Sequence, residues 1–564
     1  MKRKLLSVLL TLCLAFSLLP TAALADGEGT PAPAEVPADV GTALPEAVGG
    51  VITLGNDSYV MSEDTTAFVN VPAGVTATLD LGGKTLTNKA DEHTIIVENG
   101  ATLTITGNGI VDNVSHGKGA IVNSGEVTLN GGTFKRSAEK GTYSPYGNGG
   151  NSWYTIANYG TMEINTGVTV ENAGGYSSMI RNGGDATADC NLTIRGGNFV
   201  GGVNTVKNDS FGVLTINGGN FSNTAQYVIM NWNKAEITAG TFQTLDTASA
   251  VLFTSAYDAD ANTIGKLSIS GGEFKHASDT QEMIVDHYDA SNSGTAAVTG
   301  GRFDADISAY VPNGYIQNEN GAVETLGETN AVAKVGGTYY KTLADAVAAA
   351  QDGDTITLLK DAELTSTLNL AKNITIDGQG KYTIKAANSF TVGSDNKTYC
   401  VLYVSGEVTL KDVTVNGNEK CRVIFCDKGK LTIDGATITN GKAPNFIGGV
   451  YMTSSASFEM KSGSITGNKN AKGYQNDEYL QYSSDLWIGA NANGALTAIN
   501  GGTIGNVFVN ANAWSASNPG SFTMNGGTVT NLYVEHDANY GATFKYNDGT
   551  ICLLYTSPSP RDTR

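Results

Sequence analysis

One recurring phrase constrains this chain more than any other feature. A run of alternating apolar and polar residues ends, usually, in Gly-Gly and then an aromatic. It reads GEVTLNGGTF from Gly125, NLTIRGGNF from Asn191, GVLTINGGNF from Gly212, KAEITAGTF from Lys234, GKLSISGGEF from Gly265 and GTAAVTGGRF from Gly294. Looser copies are GATLTITGNGIV from Gly100 and GTMEINTGVTV from Gly160. Aligned on the second apolar residue, the copies fall at Ile105, Leu129, Ile164, Ile194, Ile216, Ile237, Ile269 and Val298, spaced by 21 to 35 residues. A near-constant minimum with a variable excess predicts one stacked unit with loops added on some turns.

Within each copy the alternation has strand period, and the glycines mark a bend into another short strand. Such a rung cannot bury its apolar face alone. Stacked at about 4.8 Å, the rungs form one continuous core. The pattern predicts an all-β chain folded as a right-handed parallel β-helix, with three short strands per turn. An antiparallel sandwich array is the other reading, but the tight hairpin dipeptides it requires are missing.

Asparagine recurs just before the strands, in Ile121-Val122-Asn123, Ile156-Ala157-Asn158, Ile180-Arg181-Asn182, Val206-Lys207-Asn208 and Ile229-Met230-Asn231. Counting in twos from inward Leu129 turns Asn123 inward. A buried amide needs partners. Asn123, Asn158, Asn182, Asn208 and Asn231 are therefore expected to bond one another from rung to rung as a structural ladder.

The repeats give way near Asn313. After a connector, 316–338, comes TYYKTLADAVAAAQDGDTITLLKD. Thr342 to Gln351 is predicted helical, with Leu343, Ala346, Val347 and Ala350 on one face and Thr342 with Asp345 as a capping pair. Gly353 ends it, and Thr355–Leu359 is predicted as a strand. This helix is expected to plug a second β-helix, whose rungs include KNITIDGQG from Lys372, GEVTLKDVTV from Gly406, GKLTIDGATI from Gly429 and GSFTMNGGTV from Gly520. GTALPEAVGGVITLGND, at Gly41, reads as a shorter copy of the same plug. The expectation is two tandem β-helices, 41–315 and 339–551, each with a short N-terminal capping helix.

The ends are of other kinds. Lys2, Arg3 and Lys4, the apolar run Leu5–Leu19 and Ala23-Leu24-Ala25 form a secretory signal, 1–25, cleaved after Ala25. A Pro/Ala-rich acidic linker, 26–40, follows. Residues 552–564 break the repeat within one residue and read as translated sequencing adapter. The natural chain is expected to continue past Ile551 with another rung and a region attaching it to the cell envelope. The net charge is −19. An acidic surface repels phosphate backbones, which argues against nucleic acid as a partner. Cys190, Cys400, Cys421 and Cys426 are too few for a disulfide framework, and no C-x-x-C pair is present. Cys400 and Cys421, on neighbouring rungs, are expected as free buried thiols.

These rungs, with the GGTYYKTLADAVAAAQDGDTITLLKD plug, resemble the pectin-lyase-like β-helix surface proteins of bacteria over most of Gly41 to Ile551. The resemblance implies a secreted, adhesin-like protein. For a lyase it would imply calcium-binding carboxylates on adjacent rungs with an Arg or Lys base. For a hydrolase it would imply Asn-Thr-Asp, Asp-Asp, Gly-His-Gly and Arg-Ile-Lys phrases on consecutive turns. None of those phrases occurs. His93, His116, His276, His287 and His536 fall at unrelated rung positions. No catalytic residue, metal ligand or cofactor site is assigned.

The second repeat region places an aromatic between two aliphatics at Tyr403, Tyr451, Trp487, Phe508 and Tyr533. The aliphatics take the inward parity, so the aromatics are expected to form an exposed stripe. The stripe is expected to break at the Gly429 rung, where alignment puts Cys426. Asn491, Asn512 and Asp537 follow the last three aromatics by four residues. Aromatic faces beside amides and a carboxylate suit sugars. The loops Tyr143–Tyr154 and Gly473–Tyr482 are second candidates. The expected function is an extracellular or cell-surface stalk or adhesin binding glycans or other host or cell-wall surface ligands without turnover. The alternative is a polysaccharide lyase or glycoside hydrolase.

Overall fold

The computed structural model describes residues 41–89, 91–137, 153–172, 177–184, 188–245, 248–256, 264–289, 292–443, 447–470, 484–489, 497–510, 520–535 and 541–556. The segments expected as signal and linker, 1–40, and residues 557–564 lie outside them. The chain is a parallel β-helix. One turn contributes strands Ile121–Asn123, Glu126–Leu129 and Gly132–Arg136, and the next contributes Ile156–Asn158, Thr161–Ile164 and Val168–Asn172. Each pairs in parallel with its equivalent one turn on. The repeat positions stand in one column, from Ile105 through Leu129, Ile164, Ile194, Ile216, Ile237 and Ile269 to Val298. All of them are buried.

Strands between Thr42 and Phe303 build a 17-stranded and a 10-stranded sheet, and strands from Ala333 to Thr556 build a 21-stranded sheet. The apolar interior divides likewise, into a cluster from Ile52 to Val323 and another from Ala333 to Val534. Between them lies an antiparallel hairpin of Tyr315–Gln317 with Val323–Thr325. The second sheet opens on an antiparallel strand, Ala333–Val335, paired with Thr338–Tyr340 and Thr355–Leu358.

The helix runs from Leu343 to Ala349 and buries Leu343, Ala346 and Val347. The Asp345 amide donates to Thr342 Oγ1 at 3.1 Å, and the Thr342 hydroxyl donates to Asp345 Oδ2 at 2.8 Å. Aspartate thus serves where a capping box usually has a longer acid. Lys372 Nζ closes the other end, donating to the carbonyls of Ala348 at 2.7 Å and Ala350 at 2.5 Å, where a cation is favoured.

The capping helix expected at Gly41 is a correction. Gly41 to Thr53 forms the strands Thr42–Ala43 and Val51–Thr53, with Val48 bridged to Val51. The segment is too short to nucleate a helix ahead of Gly49 and Gly50, both at positive φ. One α-helix occurs among the described residues.

Two stacks hold the interior of the first region. Phe199, Phe221, Phe242, Phe274 and Phe303 stack with centroids 4.5–4.8 Å apart and planes within 7°. Their separation is the strand spacing, so the backbone sets the ring geometry. Gly219, at φ +109°, allows this: a Cβ there would stand 3.2 Å from the ring carbons of Phe199 and Phe221. The second stack is the asparagine column. Asn123 donates to Asn158 Oδ1 at 2.7 Å. Asn158 donates to Asn182, Asn182 to Asn208 and Asn208 to Asn231, each at 2.8 Å. Asn231 ends the series on Thr254 Oγ1 at 3.1 Å. The five amides also donate to backbone carbonyls at Thr161, Asn191, Val213, Lys234 and Lys266.

A second buried polar column escaped the repeat alignment. It holds Asn88, Asn113, Arg136, Asn172, Asn223 and Thr244, two residues past each inward Phe, Val or Leu. Asn113 Nδ2 donates to the carbonyls of Glu92 and Gly119, and Asn223 Nδ2 to those of Gly201 and Gly202. These amides tie down the bends where strands stop.

Asn182→Ala should take the Asn182 donor from the carbonyls of Cys190 and Val213 and from Asn208 Oδ1, and one acceptor from Asn158 Nδ2. Guanidinium denaturation is expected to show about 2–4 kcal/mol less stability, and a loss below about 1 kcal/mol would contradict the ladder's role.

Candidate functional site

The aromatic column of the second region is continuous. Tyr403 pairs with Phe425, Phe425 with Tyr451, Tyr451 with Trp487, Trp487 with Phe508 and Phe508 with Tyr533. The expected break is therefore a correction. Phe425 fills the position, and Cys426 packs in the core one residue later. The column also continues beyond the expected end of the repeats, because Thr550–Thr556 pairs with Thr528–Val534 and sets Tyr555 beside Tyr533.

The expected exposure is a second correction. Phe425, Phe508 and Tyr533 are buried, and Tyr403, Tyr451 and Trp487 are only partly exposed. Trp487 and Phe508 stack at 4.4 Å and 14°, and Phe508 and Tyr533 at 5.0 Å and 17°. Rings on strands about 4.8 Å apart cover one another's faces, so outward parity does not produce exposure. Arg422 adds to the cover. Its guanidinium lies 5.7 Å from the Phe425 centroid and 4.9 Å from that of Tyr451. Its Nε donates to the Ile447 carbonyl at 3.1 Å and its Nη1 to Asn396 Oδ1 at 3.3 Å. Tyr403 is held by its hydroxyl, 3.2 Å from Asp427 Oδ2, with Lys397 Nζ over its ring. Asn491, Asn512 and Asp537 lie outside the described residues, as do 143–152 and 473–482 of the two loops.

Beside Trp487 sits a carboxylate that no motif announced. Asp485 is 2% exposed and accepts from the Asn468 amide at 3.1 Å, Asn468 Nδ2 at 2.8 Å and the Asn506 amide at 2.9 Å. Burial pushes its carboxyl above the usual range, and these hydrogen bonds hold the rise back. Burial likewise pushes the Cys400, Cys421 and Cys426 thiols up to about 12. They are free and buried, hence packing groups rather than nucleophiles.

The outer face of the 21-stranded sheet carries polar columns that the sequence reading missed. The residue at or just past the end of each outward strand stands in register from Asp377 through Lys411, Asp434, Lys461, Asn500 and Asn525 to Asn547. Charges alternate first, with Lys411 2.9 Å from Asp377 and Lys461 3.7 Å from Asp434. Asparagines then take over: Asn525 donates to Asn500 at 2.8 Å and Asn547 to Asn525 at 2.6 Å. Thr375, Thr409 and Thr432 form the neighbouring column, ending at Glu459, which Lys430 meets at 2.6 Å. Here a shallow polar groove of about 300 Å³ is lined by Glu407, Thr409, Lys430, Thr432, Glu459 and Lys461 among others. The signal was in the repeat: the polar residue just ahead of the glycine bend.

In the first region Trp153 lies against His93, centroids 4.8 Å apart. The Gly119 amide donates to His93 Nδ1 at 3.0 Å. Burial first, and then Lys118, lower the His93 pKa to about 4. An unfolded histidine protonates near pH 6.5, so unfolding takes up a proton between pH 6.5 and 4. His93 therefore favours the fold fully above pH 6.5, and that contribution is lost as pH falls toward 4. His93→Gln should flatten the decline in melting temperature between pH 6.5 and 4; an unchanged slope would contradict this assignment. Phe508→Ala should cost about 3–5 kcal/mol in chemical denaturation, as expected for a stacked core ring, whereas a loss near zero would return the column to the surface.

No family model and no curated protein matches this chain.

Proposed function

We propose that this chain is an extracellular or cell-surface β-helical stalk or adhesin of the pectin-lyase-like kind, which holds glycans on its outer face without turning them over. The observation that carries the reading is the outer face of the 21-stranded sheet. Threonine, asparagine and paired charges repeat there once per rung, in register over seven rungs. A face repeating at about 4.8 Å suits an extended hydroxyl-rich polymer lying along the helix axis. Hydroxyls and amides exchange hydrogen bonds with sugars, and Lys411, Lys430 and Lys461 are each already matched by a carboxylate one rung away. The stacked aromatic column, on other strand segments of the same turns, stiffens the sheet rather than serving as the binding platform. An acidic exterior disfavours nucleic acid and polyanions.

A second reading has its own observation. Glu407, Lys430, Glu459 and Lys461 share the groove, and carboxylates beside a lysine are groups that can cleave a polysaccharide. Incubation of the protein with a panel of plant, fungal and bacterial polysaccharides, with and without calcium, separates the two. Polymer retained with no new reducing ends or unsaturated uronates is the expected outcome. New ends would make it an enzyme, and no retained polymer would remove the adhesin reading.

A further inference from the structure

Where the two cores meet, a cleft of about 710 Å³ opens between the Tyr315–Thr325 hairpin, the Thr338–Tyr340 strand and the Leu343–Ala349 helix. Its size falls within the range of small-molecule sites, roughly 300–1,000 Å³. One wall is apolar: Leu326, the tyrosines of Thr338–Tyr340, and the outward methyls of Ala348 and Ala349. The rim is polar: Asn313, Thr325, Thr338, Lys341 and Asp345. Gly314 and Gly337 leave open space where a side chain would otherwise stand.

The charged rim groups and one wall tyrosine are held in place by a second contact. Lys341 Nζ donates to the Val311 carbonyl at 2.9 Å. Asp345 Oδ2 accepts from Thr342, and the Tyr339 hydroxyl donates to Glu328 Oε2 at 3.1 Å. Glu328 is in turn fixed by Lys334 at 3.1 Å. Beneath the wall, Leu326, Ala331 and Leu359 form a small core of their own, with Ile316 and Tyr339 against it. The cleft is therefore built before any ligand arrives, which lowers the ordering cost of binding.

We propose that this cleft binds one or two neutral pyranose residues. The lining selects that chemistry. A purely apolar ligand would desolvate Lys341, Asp345 and Asn313 without pairing them. An anion would meet one cation already engaged with a carbonyl and would face Asp345. A neutral sugar presents C–H faces to the tyrosines and alanine methyls and turns its hydroxyls, which both donate and accept, to the rim. The proposal rests on the carbohydrate reading above but names a different place, at the junction rather than along the outer face.

Calorimetric titration of the full chain with cellobiose, maltose and N,N′-diacetylchitobiose tests it. Ala349→Trp and Ala348→Arg each fill the cleft from an exposed helix position, so either serves if the other disturbs the fold. Thr409→Trp blocks the outer groove instead. At least one disaccharide should bind the parent, lose at least tenfold in affinity in the two cleft variants, and keep its affinity in Thr409→Trp. Loss confined to Thr409→Trp would overturn the cleft and leave the glycan reading standing, as would retention of polysaccharide by a parent that binds no disaccharide. A parent that binds neither disaccharides nor polysaccharides would remove both.

Discussion

A rung of a parallel β-helix cannot satisfy its own inward polar groups, so it must find their partners one rung away. The Asn123–Asn231 ladder is where this chain meets that demand. From Asn158 on, each amide accepts from the preceding asparagine and donates onward, with a backbone carbonyl as a third partner, while the Asn123 oxygen accepts from the Gly125 amide. A register slip by one residue would turn every asparagine to the opposite face and strand several buried amides at once. Register is thereby enforced by polar groups as well as by the apolar columns beside them. The Phe199–Phe303 stack, built on the same turns and on those that follow, shares that register.

The same geometry explains why the aromatic column of the second region is a structural element. Stacking brings equivalent residues within van der Waals reach whether they point in or out. Smaller outward residues can stay partly solvated at that spacing, as Thr375 and Thr409 do, although Thr432 in the same column is buried. Rings do not, because their faces are wider than the gap and close on one another. Arg422 then completes the cover by lying over two of them, at the cost of burying a guanidinium whose pKa burial lowers. Outward polar residues, which cannot merge in this way, are left as the surface on which a ligand can act.

Much of the architecture was legible in the repeat. The alignment that set Ile105 through Val298 in one column is the register observed, and the asparagine column follows from parity alone. The Leu343–Ala349 helix was readable from Thr342, the apolar face and Gly353. The shorter segment at Gly41 was misread because it shares composition with that helix but lacks its length. Phe425 was missed because alignment there was off by one residue, which in a period-two element moves a side chain to the other face. Arg136 and Asp485 had no signal of their own, since each is defined by neighbours a rung or so away in sequence, whereas the outer polar columns were written in the residue ahead of each glycine bend.

What the sequence by itself determined is local and periodic: strand alternation, bends at glycine, inward asparagines and a capped helix, because each depends on residues within a few positions. What only the tertiary structure decided is exposure and proximity. Parity says that Trp487 points away from the core. Whether it meets solvent depends on Tyr451 and Phe508, which stand 36 and 21 residues away in the chain and one rung away in space. The junction cleft is decided at the same level, because residues from Asn313 to Ala349 face one another only when the hairpin, the Thr338–Tyr340 strand and the helix pack together.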